Sequence, residues 1–380
     1  MTPHRDAPGT RADVEALAAM TRGSASPGER RSAEWIAERL RAEGVADVAV
    51  EGFRYQGTYA HVHALHVAAG LAGARRGGLL GSAFSAAALA SLELDASGRN
   101  QWLRRLLPAS EGANVMARVP AAAAVPAPVR TVVFVAHHDA ARTGLSWDPR
   151  LVRMGAREGV MPPRMGLVGL GFALAAIPGL RRLGTGLLGA SLASYLDIAT
   201  SRTVPGANDN ATGVAALLAL ARRFAAAPLE RTEVVLLAPG CEESGMGGMA
   251  AWLREHGAAL DPARTLVVSL DTLGSGTPIV LESEATLLPH AYREEDVALA
   301  EAGAARAGME PPRRWRAGAW TDAILARFAG LPAISLLSVG PDGVYTEWHL
   351  PTDTPDRVDF ESLDRTAAIA AGVAEEWDDR

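Results

Sequence analysis

The sequence predicts an α/β protein: a three-layer α/β/α sandwich around a mostly parallel central sheet, plus two inserted hydrophobic helical hairpins. Three observations predict it. Four apolar runs, "RTVVFVAHHD" (130–139), "TEVVLLAPGCEE" (232–243), "RTLVVSLDTLG" (264–274) and "LPAISLLSVG" (331–340), read as strands buried on both faces. Amphipathic stretches at 212–227, 245–256, 293–308 and 359–378 lie between and after them, as helices covering a parallel sheet do. Two long runs of small and apolar residues, 64–94 and 166–196, are each broken by an arginine pair.

From the N-terminus, residues 12–21 and 27–44 read as helices. In the second, Ser26 is the N-cap, Pro27 opens the first turn, Ala33, Ile36, Ala37 and Leu40 share one face, and Gly44 ends it. "VADVAVEGFRY" then alternates as a strand does. The first hairpin occupies 62–108, turning at Arg75-Arg76, and the second 150–200, turning at Arg181-Arg182; the remainder of 1–380 is read as a single domain. Each arm is expected to be shorter than the ~20 residues a bilayer crossing needs. Their glycine, alanine and serine content favours close helix contact. Three arrangements are open for them: a four-helix subdomain packed on itself, a homodimer interface, or contact with a membrane surface. Residues 118–129, "RVPAAAAVPAPV", read as a loop.

With 380 residues, 48% of them hydrophobic, the chain can bury a large core. The net charge of −6 gives no basic excess, so no nucleic-acid partner is expected. All positive side chains are arginines. A single cysteine, Cys241, excludes a disulfide within the chain and reads as a small buried residue at a strand end. The first twenty residues lack the basic-then-apolar pattern of a secretory signal. The expectation is a cytoplasmic protein, membrane-associated if the hairpins meet lipid.

The polar residues at the ends of the apolar runs and in the loops carry the chemistry. "AHHDA" supplies His137 and Asp139, "PGANDNATG" Asp209, "CEES" Glu242 and Glu243, "LDTLG" Asp271, and "EWHLPTDT" His349. Ligands belong at such positions, because sites in these sheets lie at the carboxyl ends of the strands. Imidazole and carboxylate together suit zinc and related ions. Two histidines and three carboxylates suffice for two metals if one carboxylate bridges, and Asp209, in a short glycine-flanked turn, is the natural bridge. Asp139 is spaced to hold the ring of His137. Adjacent glutamates diverge, so one of Glu242 and Glu243 can bind metal while the other acts as a base. These residues alone leave open which does which.

The series "AHHDA … PGANDNATG … CEESGMGG … LDTLG … WHLPTDT" resembles the M28 metallopeptidases, the zinc aminopeptidase family. The resemblance extends to "GSASPGERRSAEWIAERLRAEGVADVAVEGF" and "EGANVMARV" and covers about 1–60, 111–148 and 200–380, with the hairpins between these blocks. It implies two Zn2+ ions, His137 and Asp271 on one, Glu243 and His349 on the other, Asp209 bridging. It implies Glu242 as general base, with hydroxide generated at the metals as the attacking group, and Asp139 as the acid behind the first histidine. The implied activity is an aminopeptidase acting on peptides, with another zinc-dependent amide hydrolase, a glutaminyl-cyclase-like acyltransferase or a non-catalytic scaffold as alternatives. "AWTDAIL" (319–325) departs from the family's Ser-Asp-His stretch at Ala323, on what the resemblance implies is the substrate side. Asp322 in that stretch, and Tyr345 as an oxyanion donor or a packed aromatic, are the expected substrate-side residues. His138 is read as a bystander.

Overall fold

The protein is described here from a computed structural model covering residues 9–122, 130–161 and 165–380. In chain order its elements are α1 (Thr10–Ala18), α2 (Pro27–Ala42), β1 (Asp47–Tyr55), α3 (Ala60–Arg76), α4 (Gly78–Ala96), β2 (Ser110–Val119), β3 (Arg130–Val135), α5 (Pro149–Arg153), α6 (Gly166–Ala176), α7 (Arg181–Thr200), α8 (Thr212–Ala226), β4 (Thr232–Ala238), α9 (Gly247–His256), β5 (Thr265–Leu270), β6 (Thr277–Ala285), β7 (Pro289–Ala291), α10 (Glu294–Arg306), β8 (Arg313–Ala317), α11 (Ala323–Phe328), β9 (Ala333–Val339) and α12 (Phe360–Asp379). Local chemistry sets several boundaries. The Ser26 hydroxyl accepts from the N–H groups of Gly28 and Glu29 at the start of α2. Asp359 does the same for Ser362 at the start of α12.

All strands join one sheet in the order β1-β2-β4-β3-β5-β9-β6-β7, with β8 pairing β6. The apolar runs form its centre: β4, β3, β5 and β9 are mutually parallel. Four consecutive residues of β3, Val132 to Val135, are 0% exposed. Side chains alternate across a strand, so both faces of the sheet are covered. On one side α8 packs against α1, α2 and α12, and α12 against α10; α9 and α11 form a second group. Phe134 of β3 stacks on Phe224 of α8, centroids 6.1 Å apart.

The expected "mostly parallel" sheet is corrected to a mixed one. β1 with β2, β2 with β4, β9 with β6, and β6 with β7 are antiparallel. The expectation failed on the β6 side because β6 has only a short apolar stretch, Ile279 to Leu281, and β7 and β8 carry no apolar run. β8 is "RRWRA": Trp315 is buried, while Arg314 and Arg316 reach Glu282 and Glu301 on the surface. Strands of this kind sit at a sheet margin, where charged side chains remain solvated.

Helices α3, α4, α6 and α7 share a second core that includes Ala60, Val67, Leu92, Phe172, Leu188 and Ile198. α3 packs on α4 and α7, α6 on α7, and α4 on α6. A Cβ on Gly184 of α7 would lie 2.1 Å from the Ala175 nitrogen of α6, so these helices touch backbone to backbone. α4 has 19 residues and, by length and composition, could cross a membrane, although a third of it is buried (33%). It is longer than the sequence suggested, because the helix runs through Glu93 and Asp95 to Ala96.

Candidate metal centre

Because β3, β4 and β5 are parallel, their carboxyl ends lie along one edge of the sheet. His137 follows β3, Glu242 and Glu243 follow β4, and Asp271 follows β5 directly. Asp209 comes from the irregular turn before α8, which opens at Gly206 with φ +65; a Cβ there would meet the Asp209 carbonyl at 2.5 Å. The peptide bond from Asp209 to Asn210 is cis. Asp353 holds this turn by accepting from the N–H groups of Asn208 (2.7 Å) and Asp209 (3.1 Å). The fully buried Arg22 donates to the carbonyls of Leu17, Pro205 and Gly206. His349 arrives from the loop after β9, its ring against Trp147 with centroids 3.9 Å apart.

The five expected ligands converge. His137 Nε2 lies 3.3 Å from Asp209 Oδ1 and 3.8 Å from Asp271 Oδ1. His349 Nε2 lies 3.3 Å from Asp209 Oδ2 and 3.1 Å from Glu243 Oε2. The two oxygens of Asp209 therefore face two different clusters. Ligand atoms ~2.0–2.2 Å from a shared tetrahedral ion stand about 3.3–3.6 Å apart, close to these separations. Glu243 Oε1 and the Nδ1 atoms of His137 and His349 are buried without hydrogen-bond partners. Both donor sets, His-Asp-Asp and His-Asp-Glu, fit a divalent metal such as zinc.

Electrostatics agree with that fit. Burial alone would push the imidazoles down, but the surrounding carboxylates outweigh it. His137 is held well above its ordinary value and His349 is raised to about 9. Glu243 is pushed up to about 7, first by burial, and Glu242 is held well above its ordinary value for the same first reason. This much buried carboxylate calls for positive charge.

Asp139 does more than the sequence suggested. Its Oδ1 is 3.5 Å from His137 Nδ1, too long for a strong hydrogen bond. The same oxygen accepts from the Glu242 N–H at 3.0 Å, while Oδ2 accepts from the Glu243 N–H at 3.2 Å and the Ser24 hydroxyl at 2.6 Å. Asp139 thus fixes the paired-glutamate turn as well as lying behind His137.

Tyr345 lines the cavity beside the cluster, its hydroxyl buried without a hydrogen-bond partner and its ring edge-on to Trp348. Asp322 is buried close by, its carboxyl pushed well up by burial, but it does not line that cavity. His138 packs inward, bonded to Ser32 and to the Ala113 carbonyl. Cys241 is fully buried against Glu29, 3.2 Å from Sγ to Oε2, with its thiol pushed well up by burial. The sequence reading did not single out Ser24, Arg22, Asp353 or Trp147. Asp353 lies inside the quoted "WHLPTDT"; the other three stand in stretches with no ligand spacing to betray them.

The cluster opens into a cavity of about 620 Å³ whose far wall is built by α6 and α7.

Residues 190–374 match the model of peptidase family M28. That span holds Asp209, Glu242, Glu243, Asp271 and His349; His137 and Asp139 lie before it. No curated protein matches the chain. Among solved structures, the fold is similar to that of an aminopeptidase from Aneurinibacillus sp. strain AM-1: 17% identity, TM-score 0.59, covering 97% of this chain and 93% of that one. It is also similar to BSAP, a zinc aminopeptidase from Bacillus subtilis: 15% identity, TM-score 0.58, 99% and 96% covered. A Bacteroides thetaiotaomicron glutaminyl cyclase bound to N-acetylhistamine gives 14% identity, TM-score 0.58, and 99% of both chains. At these identities the likeness shows the fold.

Proposed function

Taking residues 190–374 as an M28 peptidase segment, we propose that the protein is a two-metal hydrolase of peptide and related amide bonds, an aminopeptidase in its leading form. The observation that carries this reading is Asp209, whose two oxygens face His137 with Asp271 on one side and His349 with Glu243 on the other. His137, Asp209 and Asp271 would hold one zinc ion; Asp209, Glu243 and His349 would hold the second. Bound there, the ions supply Lewis-acid polarisation of the scissile carbonyl and lower the pKa of water.

The chain's own residues do the rest. Glu242 takes a proton from the attacking water and delivers it to the leaving nitrogen. Asp139 keeps Glu242 and Glu243 diverging by accepting from both their N–H groups. The unpaired Tyr345 hydroxyl donates to the carbonyl oxygen as it gains negative charge. Trp147 restrains the ring of His349.

The test is metal content by elemental analysis, paired with hydrolysis of amino-acid anilides with and without chelator. Two zinc per chain and chelator-sensitive release are expected; no bound zinc would overturn the reading. A second reading, cyclisation of N-terminal glutamine, draws support from the fold shared with glutaminyl cyclases. Ammonia release from a glutaminyl peptide without peptide cleavage would select it.

The outer faces of the apolar helices support contact with an anionic membrane surface. Leu79 and Leu80 are 88% and 67% exposed at the tip of α4. A Cβ on Gly77 would lie 2.7 Å from Arg181 Nη1, so the two arginine-bearing turns sit together beside those leucines.

A further inference from the structure

The cavity beyond the metal centre has far more apolar wall than a short N-terminal residue covers. Its walls are Leu145 and Leu151 on one side, Val168 and Leu187 on another, and Ala319 and Trp320 on a third. The carboxylates that line it are Asp209, Glu242, Glu243 and Asp271, each already placed as a ligand or base. Among the described residues no further lining acid is left to hold a substrate ammonium. Among the described residues the one lining arginine, Arg104, is paired with Asp95 at 2.8 Å. A volume of about 620 Å³ exceeds what an ordinary side chain fills and lies in the range, ~300–1,000 Å³, of sites for much larger ligands.

We propose that the substrate carries a long alkyl chain on the acyl side of the scissile amide, laid against α6 and α7: a fatty-acyl amide of an amino acid. The assignment rests on the hydrolase reading above and names its substrate class. Water adds through oxygen to the acyl carbon, and the C–N bond breaks. Glu242 relays the water's proton to the departing nitrogen, giving a fatty acid and a free amino acid. The step consumes only water. Specificity comes from the apolar wall, since each methylene moved from water into it favours binding.

The experiment is a chain-length series on the zinc-loaded protein: acetyl, octanoyl, dodecanoyl and hexadecanoyl amides of one amino acid, with a 2-aminododecanoyl arm. We expect kcat/KM to rise about threefold to fourfold per methylene until the cavity is full, with the dodecanoyl amide preferred over its amino counterpart. Val168→Phe, which fills part of the cavity wall, is expected to shorten the optimum and lower the dodecanoyl rate far more than the acetyl rate. A separate readout needs no turnover: a terminally brominated fatty acid is expected to quench the fluorescence of Trp147, Trp320 and Trp348, which line the cavity. A flat chain-length profile or absence of quenching, with anilides still hydrolysed, overturns this inference and spares the hydrolase reading. Faster turnover of the amino arm overturns the fatty-acyl assignment. Quenching without zinc binding or any amide hydrolysis keeps the chain site and overturns the hydrolase.

Discussion

In the proposed mechanism two adjacent glutamates do different work, and one aspartate holds both their backbones. Glu242→Gln removes the proton acceptor but no ligand, so turnover is expected to fall about a hundredfold to ten-thousandfold with zinc content unchanged. Stopped assays alongside elemental analysis check both halves; full activity would remove Glu242 from the mechanism. Asp209→Ala takes a ligand from both clusters, and fewer than two zinc per chain are expected by equilibrium dialysis. Asp139→Asn turns an acceptor of the Glu242 and Glu243 N–H groups into a side chain that also carries donors. Loss of kcat with little change in KM is expected, and an unchanged kcat would limit Asp139 to packing. Among the candidate ligands, His137, Glu243 and Asp271 were legible because each follows an apolar run, while Asp209 and His349 stand in a turn and a loop. Ser24, Asp353 and Trp147 were not, because what they hold comes from distant parts of the chain: Ser24 lies 115 positions before Asp139, and Asp353 144 after Asp209.

At the scale of elements, the α3–α4 pair is tied to the turn bearing Glu242 and Glu243. Arg104, which follows α4, pairs with Asp95 and donates through Nη1 to the Ser244 carbonyl at 2.5 Å, while Tyr55 donates to the Gly245 carbonyl at 2.8 Å. The apolar helices therefore buttress the turn bearing Glu242 and Glu243. Arg104→Ala leaves Asp95 buried without its guanidinium partner and is expected to cost about 3–5 kcal/mol in urea unfolding. A loss below 1 kcal/mol would mean the pair is solvated. The apolar runs of these helices were visible in the sequence. Their packing partners were not, since small-residue helices offer similar surfaces on several sides; contacts such as Gly184 on Ala175 exist only once the backbones have met.

Over the whole molecule, a buried acid sets a pH trend distinct from catalysis. Glu284 accepts from the Thr321 N–H and hydroxyl and from Tyr292, yet burial pushes its carboxyl up to about 8. It keeps its proton in the folded chain and loses it near 4.5 when unfolded. Its contribution is therefore complete below the unfolded value and is lost as pH rises through about 8. Thermal unfolding of the metal-free protein is expected to show stability declining between those limits, with the slope flattened in Glu284→Gln. An equal slope in both proteins would assign the trend to other groups. The sequence by itself determined the central strands, the helices that follow them and the residues at the strand ends. Burial on both faces requires continuous apolar runs, and His137, Glu242, Glu243 and Asp271 stand where those runs stop. Only the tertiary structure decided that the sheet is mixed, that Asp209 faces two clusters, and that two apolar helices wall the cavity beside them. Those outcomes depend on how strand margins and small-residue helices pair across long separations, and local patterning carries no record of that choice.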